Sequence, residues 1–162
     1  MNKIQPWLGL AARLILGGTL IAAGYLKFDE LDKSQMAVRA YEMLPIPLAN
    51  FLGIVVPFFE LAVGILLVIG AGVRISAALS ALLMIAFMIA ITQAWARGLS
   101  IDCGCFGGGG QVPEGEANYL TPLLRDTGLA LLGIYLTLFP HTKFGLDKKP
   151  QSATQIGEGT HG

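Results

Sequence analysis

Residues 75–95, ISAALSALLMIAFMIAITQAW, decide the fold class, because this stretch carries no charged side chain. A transmembrane α-helix needs about 20 predominantly apolar residues to cross the ~30 Å hydrocarbon core of a bilayer. In lipid, backbone polar groups are satisfied only within a helix or a closed barrel, and barrel strands show alternating hydrophobicity. We therefore predict that residues 75–95 form a membrane-spanning helix.

Three further apolar blocks flank this stretch, at residues 7–26, 51–70 and 119–139. Of the 162 residues, 54% are hydrophobic and 14% are charged, whereas soluble domains carry about 25% charged residues. The predicted fold is all-α, an integral membrane four-helix bundle over residues 1–147. The first block follows Lys3, as in a signal peptide, but it is long for a signal and no A-x-A site follows, so we expect a retained helix.

The segments outside the four blocks are expected to be of two kinds. In residues 28–50, Asp32 or Ser34 can cap a short interfacial helix that runs to about Met43 and is ended by Pro45 and Pro47. Residues 148–162 are polar and glycine-rich, and we predict a disordered tail.

The distribution of basic residues predicts the orientation. The side that holds both termini carries five basic residues and the opposite side carries four. By the positive-inside rule this favours a multi-pass protein of the cell (inner) membrane with cytoplasmic termini. Formal net charge is zero, and no basic patch points to nucleic acid. The basic residues on the terminal side are Lys3, Arg74, Lys143, Lys148 and Lys149, and those opposite are Lys27, Lys33, Arg39 and Arg97.

The two cysteines of the chain, Cys103 and Cys105, are separated by one glycine, just after the third predicted helix. Gly104 permits the tight bend that a bond between them would need. Such a small ring gains little as a structural staple, because disulfide stabilisation grows with loop length. Strained, exposed disulfides tend to be the catalytic ones. The pair is therefore predicted to be redox-active and, in this orientation, extracytoplasmic, where disulfides are permitted.

Three other interpretations of the cysteines compete with redox chemistry. They can be inert thiols at the membrane surface. They can be palmitoylated, which the outward orientation opposes. A metal site is disfavoured because two thiolates are too few ligands and no histidine lies near in sequence.

Charged residues inside the predicted helices form a second group of candidates. Intramembrane charges are costly and usually face a bundle interior or a polar cavity. Candidate ion-pair residues are Arg13, Glu60, Arg125 and Asp126, with Arg13 or Arg125 expected to pair with Glu60. That site either locks the bundle or handles a proton or a quinone headgroup. Gln93 is a further candidate for a quinone carbonyl, so the candidate cofactor-binding residues are Glu60, Gln93 and Arg125.

Four segments carry a resemblance to a known family: ARLILGGTLIAAGYLKF (12–28), YEMLPIPLANFLGIVVPFFELAVGILLVIG (41–70), DCGCFG (102–107) and LLRDTGLALLGI (123–134). They resemble the DoxX-like membrane proteins, and most closely the MauE branch, named for methylamine utilisation. The resemblance implies a four-helix membrane protein that works beside an extracytoplasmic thioredoxin-like partner in the maturation of disulfide-containing proteins. DoxX and DoxD relatives imply a link to quinones.

Two functional hypotheses follow. In the first, the protein is a membrane thiol–disulfide oxidoreductase that exchanges electrons through Cys103 and Cys105 with the thioredoxin-fold partner, with a quinone as the candidate cofactor. In the second, it is a non-catalytic membrane subunit or assembly factor of a DoxX/DoxD-type redox complex, and the cysteines are incidental.

Overall fold

The computed structural model describes residues 4–104, 106, 108–140 and 146, and this part of the chain contains five helices and one two-stranded sheet. The helices are α1 (Gln5–Asp29), α2 (Leu31–Ala40), α3 (Ile46–Ile69), α4 (Val73–Ala96) and α5 (Leu120–Leu138). Between α4 and α5 lie the short strands β1 (Ile101–Asp102) and β2 (Gly110–Gln111). The predicted tail at residues 148–162 lies outside the described residues.

Helices α1, α3 and α4 are long and apolar enough to cross a membrane, by length and composition. Large apolar side chains are exposed on their outer faces, among them Ile15, Phe51, Ile75 and Leu82. Exposed apolar surface of this extent is costly in water and is normal against lipid. The sequence-based prediction of a mainly helical membrane protein is therefore confirmed.

Helix α3 begins earlier than the apolar block at residues 51–70 indicates. Pro47 lies in its first turn, where proline is tolerated because the first amide groups of a helix have no intrahelical acceptor. The helix ends at Ile69, and the capping residue Gly70 adopts a left-handed conformation with φ 74° and donates its N–H to the carbonyls of Leu66 and Leu67. This glycine cap turns the chain into α4.

Helix α2 differs from the predicted short helix in its cap and its end. Its N-cap residue is Glu30, without a side-chain capping bond, so neither Asp32 nor Ser34 caps it. The helix ends at Ala40, before Met43. Glu42 has a φ of 50°, a left-handed conformation that cannot continue a right-handed helix.

The buried core is formed by close helix pairs, mainly α1 on α3 and α4 on α5. Glycines allow the first pair to approach closely, since a Cβ on Gly17 would lie 3.0 Å from the Gly64 carbonyl oxygen. Buried apolar side chains from four of the helices fill the remaining space between them. Prominent among these are Leu16, Leu20, Leu67, Ala77, Met84 and Leu136.

Helix α2 packs on α3 and donates a hydrogen bond to a carbonyl that has no donor within α3. Pro57 lies inside α3 and has no N–H to offer to the Gly53 carbonyl one turn earlier. The hydroxyl of Ser34 donates to that carbonyl at 2.7 Å. A Cβ on Gly53 would lie 2.6 Å from the Gln35 Cα, so the two helices meet backbone to backbone here.

Candidate functional site

The predicted redox cysteines belong to a loop closed at its base by the β1–β2 hairpin, which we call the thiol loop (residues 103–109). Ile101 pairs with Gln111, and Asp102 pairs with Gly110. Cys103 is half-buried in this loop. Cys105 lies outside the described residues, so its predicted partnership with Cys103 stays a prediction. The hairpin itself is a feature that the sequence analysis did not anticipate.

Backbone conformation restricts the thiol loop to glycine at two positions. Gly104 has a φ of 65° and Gly109 a φ of 147°, both in the region that L side chains rarely adopt. Both glycines also face Ala37 of α2, and a Cβ on Gly104 would lie 2.5 Å from the Ala37 methyl carbon. The loop therefore rests directly on α2.

Hydrogen bonds fix the first residues of the loop. The Tyr41 hydroxyl donates to the carbonyl oxygen of Cys103 at 3.1 Å. The Asp102 carboxylate accepts the Gly104 N–H at 3.3 Å. At the hairpin base, the Tyr119 hydroxyl accepts the Ile101 N–H and donates to the Leu99 carbonyl.

Arg97, the basic residue nearest the thiols in sequence, binds the segment that follows α2. Its guanidinium contacts the Glu42 carboxylate at 3.3 Å and donates to the carbonyls of Tyr41 and Glu42. The guanidinium thus secures the end of α2. Its role in the structure is to hold the segment that supplies Tyr41.

The second candidate group contains a buried ion pair that differs from the predicted one. Glu60 accepts two hydrogen bonds from the Lys27 ammonium, at 2.8 and 2.9 Å. The two side chains are 1% and 6% exposed. The expectation that Arg13 or Arg125 pairs with Glu60 is therefore corrected to Lys27.

The physical reason for this correction is position along α1. Arg13 is buried but precedes Lys27 by about 21 Å of helix axis, at 1.5 Å per residue. Lys27 continues the buried face of α1 that includes Leu20 and Ala23. That helical spacing is the sequence signal that could have identified Lys27, which the sequence analysis assigned to a loop.

Arg125 and Asp126 form a neighbouring pair on α5. The guanidinium donates two hydrogen bonds to Asp126 Oδ1, at 2.9 and 2.8 Å. Asp126 is 1% exposed, whereas the Arg125 side chain is 29% exposed. The carboxylate thus points into the bundle and the guanidinium lies near its edge.

A small cavity joins these charges to the thiol loop. Glu60, Arg125 and Asp126 line it together with Phe106 and Phe87, and its volume is about 10 Å³. The Phe106 ring lies over the Arg125 guanidinium, 4.5 Å from its central carbon. Phe106, which sequence reasoning missed, therefore places the thiol loop directly over the buried charges.

Gln93 lies elsewhere, in a groove between α4 and α5. This groove has a volume of about 580 Å³ and is lined mainly by apolar side chains, with Thr92, Gln93 and Thr127 as its polar members. Glu60 and Arg125 do not line it. The structure thus brings Glu60 and Arg125 together at one cavity and places Gln93 at another.

Comparison with known proteins relates the chain to methylamine-utilisation proteins. The family model described as "Methylamine utilisation protein MauE" matches residues 5–139. The chain is 32% identical over 129 residues to "Methylamine utilization protein MauE" of Paracoccus denitrificans, which covers 79% of this chain and 69% of that protein. No solved structure matches the chain. The family match contains the thiol loop and all of the buried charges described above.

Proposed function

Because the chain belongs to the MauE family, we propose that it is a four-span membrane thiol–disulfide oxidoreductase that serves methylamine utilisation. Cys103 and Cys105 are its reacting groups, and an extracytoplasmic protein of thioredoxin fold is its partner. The observation that supports this proposal is the thiol loop. A single glycine separates its two cysteines, and the loop backbone rests on helix α2.

The proposed reaction is thiol–disulfide exchange. A thiolate of the pair attacks the partner's disulfide, forms a mixed disulfide and releases one partner sulfur as a thiolate. The second cysteine then attacks the mixed disulfide, which closes the Cys103–Cys105 bond and releases the other partner sulfur. Two electrons and two protons pass from the pair to the partner. The reverse sequence oxidises the partner by the same steps.

We assign α5 as the fourth span and α2 as the interfacial helix. The 19 residues of α5 extend about 28 Å, close to the thickness of the hydrocarbon core. The Asp126 carboxylate of α5 is buried and paired with Arg125, so this charge does not face lipid. Helix α2 is short and carries exposed charged side chains such as Lys33.

The burial of Lys27 strengthens the proposed orientation. Lys27 is 5% exposed and paired within the bundle, so it does not count as a loop charge. Three basic residues, Lys33, Arg39 and Arg97, then remain on the side of the thiol loop, against five opposite. The positive-inside rule favours cytoplasmic termini and an extracytoplasmic thiol loop in the cell membrane.

A quinone, as the candidate electron acceptor in the membrane, fits the Gln93 groove better than the Glu60 cavity. A cavity of about 10 Å³ holds no more than about one water molecule. The groove of about 580 Å³ has the size and the mostly apolar lining that ring-shaped ligands require. The Gln93 amide could donate to a quinone carbonyl and accept from a quinol hydroxyl.

Thiol labelling in intact cells tests this function, because the chain contains only two cysteines. A membrane-impermeant maleimide should label both residues after mild reduction and neither before it. In Cys103→Ser and Cys105→Ser variants, the remaining thiol should be labelled without reduction. Labelling restricted to a membrane-permeant reagent would contradict the extracytoplasmic position.

The redox state of the partner separates the oxidoreductase from a non-catalytic subunit of a DoxX/DoxD-type complex. Replacing both cysteines with serine should change the ratio of thiol to disulfide in the thioredoxin-fold partner. If that ratio is unchanged, while Glu60→Gln abolishes co-purification with the redox complex and Cys103→Ser does not, the subunit interpretation is correct.

A further inference from the structure

Asp126 has one carboxylate oxygen that is buried without a hydrogen-bond donor. Its Oδ1 accepts two hydrogen bonds from Arg125. Its Oδ2 has no hydrogen-bond partner within residues 4–104, 106, 108–140 and 146, and the residue is 1% exposed. A buried polar atom in this state requires an explanation such as a water molecule or a bound proton.

The cavity beside Asp126 limits what can fill this role. Its volume is about 10 Å³, which is the space of about one water molecule. An organic ligand with several heavy atoms does not fit while Phe106 lies at the cavity. Water and the proton it can carry are therefore the ligands that match both the size of the cavity and the open acceptor.

The charges that line the cavity, and Lys27 that pairs with one of them, leave Asp126 as the available proton acceptor. Lys27, from α1, donates to both oxygens of Glu60, from α3. Arg125, on α5, donates two hydrogen bonds to Oδ1 of Asp126. Among these facing groups, Oδ2 is thus the carboxylate oxygen whose position is open to accept a proton.

The thiol loop reaches this acceptor through Phe106. Phe106 follows Cys105 directly in the chain and lines the same cavity as Asp126. Its side chain is 42% exposed while its ring covers the Arg125 guanidinium. The residue that follows Cys105 therefore lies at the cavity that the buried carboxylate lines.

We infer that Asp126, with one water molecule in this cavity, is the proton acceptor for the thiol pair. This inference rests on the proposed function. A thiol of the loop transfers its proton through the water to the Asp126 carboxylate, which yields a thiolate and a carboxylic acid and moves no electrons. The thiolate then attacks the partner's disulfide, and Asp126 returns the proton to the thiolate that leaves.

Infrared difference spectroscopy of the purified protein in lipid nanodiscs tests the inference. The spectrum of the phosphine-reduced protein minus that of the oxidised protein should contain a carboxylic acid C=O band that shifts in D₂O. The band should disappear in Asp126→Asn and persist in Asp102→Asn, which removes the carboxylate beside Cys103. Protein labelled with ¹³C at aspartate carboxyl groups should shift the band without any substitution, so that the assignment to aspartate does not depend on the folding of a variant.

Each result separates this inference from the proposed function. If maleimide labelling shows that the pair is reduced but no carboxylic acid band appears, Asp126 is not the acceptor and the redox function stands. A band that disappears in Asp102→Asn and persists in Asp126→Asn also overturns the inference. If the pair cannot be reduced and reoxidised, the proposed function fails and the inference fails with it.

Discussion

Ser34 is expected to stabilise the fold through the one hydrogen bond that it donates to Gly53. The Gly53 carbonyl has no partner inside α3, because Pro57 stands where the donating residue would be. The Ser34 hydroxyl supplies a donor at 2.7 Å, at a site where Ser34 is 6% exposed. Ser34→Ala removes this donor and leaves the carbonyl buried.

The expected loss of stability in Ser34→Ala follows from the Gly53 carbonyl, which is left buried without a donor. A buried acceptor left without a donor costs about 1–3 kcal/mol, and interhelical hydrogen bonds in membranes reach at most about 1.7 kcal/mol in double-mutant cycles. We therefore expect Ser34→Ala to lower the free energy of unfolding by about 1–2 kcal/mol, a factor of about 5–30 in the folding equilibrium constant.

Ser80→Ala is the matched control. Ser80 is also a buried serine that donates to a carbonyl, that of Ser76 at 2.8 Å. Ser76 and Ser80 lie one turn apart inside α4, so that carbonyl keeps the Ser80 N–H as a partner after the substitution. Loss of the Ser80 hydroxyl should therefore lower the free energy of unfolding by less than about 1 kcal/mol.

A double-mutant cycle with Pro57→Ala isolates the mechanism. Alanine at position 57 restores the N–H that the Gly53 carbonyl lacks, so Ser34→Ala should cost less in the Pro57→Ala background than in the wild type. Unfolding by a denaturing detergent in mixed micelles, followed by circular dichroism, measures all four proteins. Equal costs in both backgrounds, or equal costs for Ser34→Ala and Ser80→Ala, would refute the reasoning.

Two further predictions concern helix packing and the buried ion pair. Gly17→Ala should lower the free energy of unfolding by about 1–3 kcal/mol, because the new methyl would lie 2.9 Å from Val68 Cγ2. The adjacent Gly18→Ala, which has open space around it, should not destabilise the protein, and an equal loss in both would contradict the packing. Lys27→Met should cost about 3–5 kcal/mol, because it leaves the Glu60 carboxylate buried and uncompensated. Adding Glu60→Gln should recover part of that loss in the same unfolding assay, and no recovery would argue against the ion pair.

The apolar blocks were predictable because hydrophobicity over a whole helix is a property of consecutive residues. Residues 75–95 lie entirely within α4, and α1 and α3 likewise contain most of their predicted blocks. The ends were less predictable. Pro47 was expected to stop a helix and instead lies in the first turn of α3, because proline disrupts a helix interior and is tolerated at its start.

The contacts that build the site were less accessible to sequence reasoning, because each joins residues that are distant along the chain. Lys27 and Glu60 are 33 residues apart, and nothing local to Glu60 distinguishes Lys27 from Arg13. Tyr41 and Cys103 are 62 residues apart. A helical projection of α1 would have placed Lys27 on the buried face, but no projection identifies the tyrosine that holds the thiol loop.

The position of the thiol loop depends on a connected series of packing contacts that begins in the membrane. Pro57 leaves the Gly53 carbonyl without a donor in α3, and the Ser34 hydroxyl donates a hydrogen bond to this carbonyl. This bond holds α2 against α3. Ala37 lies one turn further along α2 and contacts both left-handed glycines of the loop. A side chain larger than alanine at position 37 would have to displace the loop backbone or α2 itself. The small residue at this position is therefore a requirement of the loop's placement.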